Sequence, residues 1–422
     1  MGVLIIAFRV VANKLKILLY FWCRRIKLNR FLLFSAVVIF QLLPGCKEDH
    51  VKPTNNFLLS SQNILTRSAA EIRGLLTGTS LSALPVNDVI LYKITYKTSY
   101  KNQEIIASGL VALPKTTQPV SMVSFQHGTI AAHSEAPSVL PLTSQALIIY
   151  TGLASIGFIA VVPDFIGFGS SSAFLHPYYV EDATASAIID MMKAAKELAA
   201  EQSTNFNGKL FLAGYSQGGY ATMATHKSIE QNGLPGFNLI ASFPAAGGYD
   251  IKAMQEYFFG LPTYNEPFYI AYVAVAYKTH YAGWTRPLSD FFVEPYATRI
   301  PGLFDGNKNG SLINYELTTS IPDLISADIR ANIDTDIKYK YAVDAFHENS
   351  LVDWKPTIRM FMYHGDADVT VPYNNSVITL NKLLSNGASP SIVTLIKLPG
   401  ADHGTGVIPY IQNFVPKMIS LK

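Results

Sequence analysis

Six short apolar runs, Val120 to Phe125, Phe158 to Val162, Lys209 to Ala213, Leu239 to Phe243, Arg359 to Tyr363 and Val393 to Leu398, are separated by longer stretches with helical spacing. A strand that is apolar throughout, rather than at every second residue, is buried on both faces. The pattern therefore predicts an α/β fold, a mostly parallel sheet covered by helices on both sides. Two alternating runs precede it, Val89 to Tyr96 and Ile105 to Leu113, joined by the polar Lys101-Asn102-Gln103, and these predict an antiparallel hairpin. Between Tyr178 and Glu201, Ile188, Met191, Met192, Ala195, Leu198 and Ala199 recur at helical spacing, the stripe of a helix facing the core.

One stretch breaks the alternation. Residues 249–350 are rich in aromatics, among them Tyr257, Phe258, Phe259, Tyr264, Phe268, Tyr269, Tyr272, Tyr277, Trp284, Phe291 and Phe292, and contain five prolines from Pro262 to Pro301. They read as an inserted, mainly helical cap. Its aromatics serve the insertion's own core for the most part, with a few left to face a pocket.

The chain can bury a large core, since 49% of its residues are hydrophobic and 15% charged, which excludes disorder as its organising state. Its net charge of +3 misleads. Seven basic residues and no acidic one lie in residues 1–46, so the rest is mildly acidic and offers no basic footprint for nucleic acid. Both cysteines, Cys23 and Cys46, are also in that segment, which leaves the body without a disulfide or a thiolate. Arg24 to Arg30 is a basic lead-in to the apolar run Phe31 to Leu43, a run too short to span a bilayer comfortably. The segment ends Leu43-Pro44-Gly45-Cys46 and resembles a bacterial lipoprotein signal, in which the Cys is lipidated. The resemblance implies an extracytoplasmic protein anchored at Cys46, in the periplasm or at the cell surface; an uncleaved anchor helix is the alternative. The organisation expected is a signal segment over 1–46, a tether and N-terminal extension over 47–86, a core over 87–248 and 351–422, and the cap over 249–350.

The chemistry begins at Gly214-Tyr215-Ser216-Gln217-Gly218-Gly219, between an apolar strand and a helix. G-x-S-x-G in that context is a nucleophile elbow, a turn so tight that small residues must flank the Ser. A serine hydroxyl needs a base, and the base needs a carboxylate to orient it. Two later segments, each just after an apolar run, supply candidates: His364-Gly365-Asp366-Ala367-Asp368-Val369-Thr370-Val371-Pro372 and Pro399-Gly400-Ala401-Asp402-His403-Gly404. Both arrive at the sheet edge that carries Ser216, where open α/β sheets bind ligands.

With these motifs the chain resembles the α/β-hydrolases, and within them the secretory lipases and related lipoprotein esterases, from about Val89 to the C-terminus. The resemblance implies the α/β-hydrolase fold, with Ser216 as nucleophile, Asp368 as acid and His403 as base. Asp366 and Asp402 are rival carboxylates, Asp402 with poor geometry for a neighbour of His403 in sequence. For the oxyanion it implies the backbone N–H of Gln217 and a donor from the Gln126-His127-Gly128-Thr129 loop, Thr129 before Gly128. His127 and Asp164, in Pro163-Asp164-Phe165-Ile166-Gly167-Phe168-Gly169, are expected to order loops. His176, His226, His280 and His347 are expected on the surface or packed.

Asp305-Gly306-Asn307-Lys308-Asn309-Gly310 with Glu316 also fits a calcium-loop pattern. It has two carboxylates and no evident flanking helices, so a plain turn is the favoured reading. The function expected is a serine hydrolase acting through an acyl-enzyme on a small carboxylic ester with a hydrophobic acyl or aromatic part, without an organic cofactor. A peptidase of prolyl-oligopeptidase-like type and a non-catalytic ligand-binding lipoprotein are the rivals.

Overall fold

The computed structural model describes residues 55–422. The signal segment and Cys46 lie outside those residues.

Nine strands form a single sheet, in the order β1-β2-β3-β5-β4-β6-β7-β8-β9. β4 (Val120–Gln126), β5 (Phe158–Pro163), β6 (Phe206–Tyr215), β7 (Asn238–Ala245), β8 (Arg359–Gly365) and β9 (Val393–Leu398) run parallel, as their apolar runs predict. Every residue of β4 and β5 is buried. In β4 successive side chains go to opposite faces, Val120 and Met122 to one core and Val123 and Phe125 to the other.

The hairpin β2 (Val89–Tyr100) and β3 (Gln103–Pro114) continues the sheet antiparallel, and β3 pairs antiparallel with β5. Lys101 and Asn102 make its two-residue turn with φ of 51° and 60°, the left-handed pair that matches the twist of a hairpin. An edge strand, β1 (Leu58–Arg67), pairs antiparallel with β2 through two irregularities in register. β1 and the helix α1 (Ala69–Leu75) fall within residues 47–86, the expected tether and N-terminal extension, and from Leu58 the chain is part of the sheet. Polar side chains in Leu58–Arg67 conceal the strand, and the Glu197 carboxylate accepts from the N–H groups of Asn56, Phe57 and Leu58 where it begins.

α1, α2 (Ala146–Ser155) and, at the chain's end, α13 (Val407–Ile419) pack on one face of the sheet. On the other lie α3 (Glu181–Glu201), with the expected stripe of Ile188, Met191, Met192, Ala195, Leu198 and Ala199 fully buried, and α4 (Gln217–Asn232). Between β7 and β8 the chain passes through seven helices: α5 (Ile251–Gly260), α6 (Phe268–His280), α7 (Tyr296–Arg299), α8 (Gly310–Tyr315), α9 (Ile321–Leu324), α10 (Ala327–Asn332) and α11 (Lys340–Glu348). α12 (Tyr373–Ser385) joins β8 to β9. Tyr272, Tyr277, Trp284, Phe291 and Phe292 of the insertion form one buried cluster, continuous with Met360 and Met362 of β8.

Candidate active site

β6 ends at Tyr215 and α4 begins at Gln217, leaving Ser216 alone to reverse the chain. Its φ is +60° and ψ −123°, a strained conformation for a residue with a side chain. The turn is held from both sides: the Ser216 N–H donates to Ala245 O at 2.8 Å, while the Gly219 N–H reaches back to Ser216 O at 2.8 Å. Gly218 and Gly219 are dictated by packing. A Cβ on Gly218 would lie 2.0 Å from Gln126 O, and one on Gly219 would lie 2.1 Å from Ala245 O.

Ser216 Oγ lies 2.9 Å from His403 Nε2, and His403 Nδ1 lies 2.6 Å from Asp368 Oδ2. A carboxylate only accepts, so Nδ1 carries the proton and Nε2 is free to accept from the serine hydroxyl. Ser216, His403 and Asp368 are thus brought together from the ends of β6, β9 and β8.

The Asp368 side chain is fully buried. Burial alone would raise its pKa, but hydrogen bonds from His364 and His403 outweigh it and hold the carboxyl at about 2. Oδ1 also accepts from the N–H groups of Thr370 and Val371 at 2.9 and 3.0 Å.

The rivals are spent elsewhere. Asp366 accepts from the Gly400 N–H at 2.6 Å and pairs with Lys397 at 3.2 Å. Asp402 accepts from the N–H and hydroxyl of Thr405, each at 2.8 Å.

Three supports were not singled out from sequence. His364 Nε2 faces Val371 O at 2.9 Å and therefore carries a proton, and Asp368 Oδ2 lies 3.3 Å from the same nitrogen. The motif H-G-x-x-D contains this residue, four before the aspartate it braces. Tyr215, the first x of G-x-S-x-G, donates its phenol to His403 O at 2.8 Å and so holds the loop that carries the imidazole. His176 is buried and its pKa is lowered to about 3 by desolvation, so the ring is neutral. Its Nδ1–H donates to Ile166 O at 2.6 Å, and Nε2 accepts from the Gln217 side-chain amide at 2.6 Å. That histidine is packed, as expected, yet it fixes the residue that follows the nucleophile.

Gln217 is the first residue of α4, so its N–H has no intrahelical acceptor. The other expected donor loop passes close by: a Cβ on Gly128 would stand 3.7 Å from Ser216 Cβ. Thr129 Oγ1 is 2.8 Å from the Tyr178 hydroxyl, and either oxygen can donate in that pair. His127 Nδ1 lies 2.7 Å from Gly128 O. In a trans peptide the carbonyl and the following N–H point in opposite directions, so this grip turns the Thr129 N–H away from His127. Asp164 accepts from the Ser108 and Ser138 hydroxyls at 2.6 Å and from the Ser138 N–H, which orders its loop. His226 is buried between Ser242 and Glu230.

The segment from Asp305 forms a turn and a helix cap. Asp305 accepts from the N–H and amide of Asn307, Asn309 caps α8 by accepting from the Leu312 N–H, and Glu316 turns towards Arg299 at 3.7 Å. Helix α8 begins at Gly310, inside the would-be loop, and no group of three or more His, Cys, Asp or Glu converges on one point among the described residues.

Ser216 is among the residues that line an open, aromatic cavity. Its walls come from the insertion, including Phe258, Phe259, Tyr264, Tyr269 and Trp284, and from Tyr178 and Tyr179 on the sheet side. No charged side chain lines it.

An open, mostly parallel sheet with a serine elbow after one strand, and an aspartate and a histidine in loops after two others, defines an α/β-hydrolase. Comparison with known proteins agrees with this fold, and lipases and esterases are among the proteins it resembles. The model of the secretory lipase family matches residues 134–255. A Legionella pneumophila protein described as a hydrolase superposes with a TM-score of 0.77 at 27% identity, over 86% of this chain and 98% of that one. The ligand-bound rice cell wall degrading esterase LipA of Xanthomonas oryzae gives a TM-score of 0.73 at 24% identity, over 87% of this chain and 97% of that one. The closed state of Candida antarctica lipase A gives 0.61 at 15% identity, over 86% of this chain and 83% of that one. No curated protein sequence matches.

Proposed function

We infer that the protein hydrolyses carboxylic esters with a hydrophobic acyl part. The carrying observation is the continuous relay from Asp368 through His403 to Ser216, at 2.6 and 2.9 Å, opening into an uncharged aromatic cavity. Ser216 Oγ attacks the ester carbonyl as its proton passes to His403 Nε2. Negative charge on the carbonyl oxygen is met by the N–H groups of Gln217 and Thr129. The intermediate collapses by breaking the bond to the alcohol oxygen, which leaves with the proton from His403. Water then repeats the sequence on the acyl-enzyme, its proton going to His403 and on to Ser216 as the carboxylic acid departs. Asp368 remains ionised throughout and holds the imidazole in the one tautomer that can accept from Ser216. The lining favours this over peptide hydrolysis, because no charged side chain stands in the cavity to meet a peptide's ionic groups.

The protein acts, on this reading, outside the cytoplasm while anchored by a lipid at Cys46. The basic-then-apolar segment that ends at that cysteine supports it.

The test is a series of p-nitrophenyl esters from acetyl to dodecanoyl, assayed with the full chain and with Ser216→Ala. The expected result is turnover that rises with acyl length before it falls, and is abolished in the variant. Equal turnover by both proteins would remove Ser216 from the mechanism.

A further inference from the structure

The loop that carries Asp368 is held from two sides. From within, Asp368 Oδ1 accepts from the N–H groups of Thr370 and Val371 at 2.9 and 3.0 Å. From outside, two tyrosines of the insertion donate to the same stretch of backbone, Tyr264 Oη to Thr370 O at 2.9 Å and Tyr257 Oη to Val369 O at 3.3 Å. The register links the two sides. Val369 C=O and Thr370 N–H belong to one peptide unit, and Thr370 C=O and Val371 N–H belong to the next. Both units are trans, so in each the carbonyl and the N–H point in opposite directions. Each N–H that grips the acid therefore has a phenol of the insertion at the back of its own peptide plane. A donor on the carbonyl restrains the tilt of that plane, and it polarises the amide so that its N–H binds the carboxylate more strongly.

Both phenols belong to a packed part of the insertion. Tyr257 is on α5, Tyr264 is 5% exposed, and Phe258 packs on both rings with centroids 5.5 and 4.5 Å away. The Tyr264 N–H donates to Thr319 O at 2.8 Å, which ties its backbone to a later part of the insertion. Burial raises the pKa of each phenol, so both stay protonated at neutral pH. A carbonyl oxygen only accepts, so the tyrosines are the donors in both bonds.

We propose that Tyr264 and Tyr257 are positioning residues for the triad, acting on Asp368 through the two peptide units between Val369 and Val371. The inference rests on the reading of Asp368 as the acid of an ester-hydrolysing triad, and it gives the insertion a task beyond walling the cavity. Asp368 Oδ2 faces His403 Nδ1 at 2.6 Å, so a carboxylate less firmly held at Oδ1 holds the imidazole less firmly as well.

The experiment measures kcat and KM of the full chain on p-nitrophenyl octanoate, with rates taken per active site titrated by a fluorophosphonate so that misfolded protein drops out. Tyr264→Phe and Tyr257→Phe keep the ring and remove the phenol. Tyr264→Phe should lower kcat by about tenfold, and Tyr257→Phe, whose bond is longer, by about threefold. The loss at Tyr264 should leave KM within about twofold, because the ring still lines the cavity. Both substitutions are then repeated on Asp368→Ala, where no carboxylate remains to be positioned. There each should change the residual rate by less than about twofold. A role confined to packing the insertion would instead cost the same factor in both backgrounds. Equal losses in both, a loss at Tyr264 that falls on KM, or a Tyr264→Phe enzyme within about twofold of wild type would overturn the inference and leave the ester-hydrolase reading standing. Absence of turnover by the wild-type chain on every ester of the acetyl to dodecanoyl series would overturn that reading, and this inference with it.

Discussion

Three carboxylates lie in the two loops that meet the nucleophile, and their partners separate their roles. Asp368 is buried on His403, His364 and two backbone N–H groups, whereas Asp366 and Asp402 are tied to Gly400 with Lys397 and to Thr405. Asp368→Asn should therefore lower kcat by roughly 10³-fold or more, because an amide there lets the imidazole adopt the wrong tautomer. Asp366→Asn and Asp402→Asn should each stay within about fivefold of wild type, since neither touches the imidazole. Steady-state kinetics on one ester would check all three. The same carboxylate gives stability a pH dependence. Its folded-state pKa is depressed from 3.8 to about 2, so the stabilisation is fully present above the unfolded value and is lost as pH falls through the folded one. On the order of 2 kcal/mol is at stake, so the gap in denaturant midpoint between wild type and Asp368→Asn should narrow from about pH 5 to pH 2.5. At this scale Ser216, Asp368 and His403 were legible as candidates because each sits in a short motif beside an apolar strand. The braces were not: His364, Tyr215 and His176 act through contacts that only the fold creates.

The elbow shows how an element can be demanding without all of its residues being chemical. Gly218 and Gly219 let α4 pass between the β4 and β7 backbones, where a methyl group would lie about 2 Å from Gln126 O or Ala245 O. Gly218→Ala should thus cost on the order of 3 kcal/mol or prevent folding, by overpacking against backbone that cannot move. Ser216→Ala removes the nucleophile from the same turn yet should unfold within about 1 kcal/mol of wild type, so denaturant melts of the pair separate packing from chemistry. The parallel strands were readable because burial on both faces makes them apolar throughout. β1 was hidden because it is a largely exposed edge whose order comes from β2 and from Glu197. The helices of the insertion had blurred limits for another reason: α7 and α9 are four residues each, too short to show a period. The segment at Asp305 fits a calcium-loop pattern as well as a turn because Asx side chains that bind cations are also those that close turns and cap helices, and Asn309 does the latter.

Across the whole molecule, the insertion between β7 and β8 contributes most of the cavity wall, while Ser216, Asp368 and His403 follow strands of the sheet. No helix among the described residues is long and apolar enough to cross a membrane. Lipidation at Cys46 is a separate expectation of the segment that ends there: Cys46→Ser expressed in a bacterium should abolish incorporation of labelled palmitate and move the protein out of the membrane fraction. Equal palmitate labelling of both forms would reject lipidation at that residue. The central claim, an activated Ser216, is tested most directly by the intact mass of the full chain after incubation with a fluorophosphonate, with Ser216→Ala as control. The account predicts one phosphonyl adduct on wild type and none on the variant. Folded wild-type protein that stays unmodified, or an adduct that persists on Ser216→Ala, would contradict it.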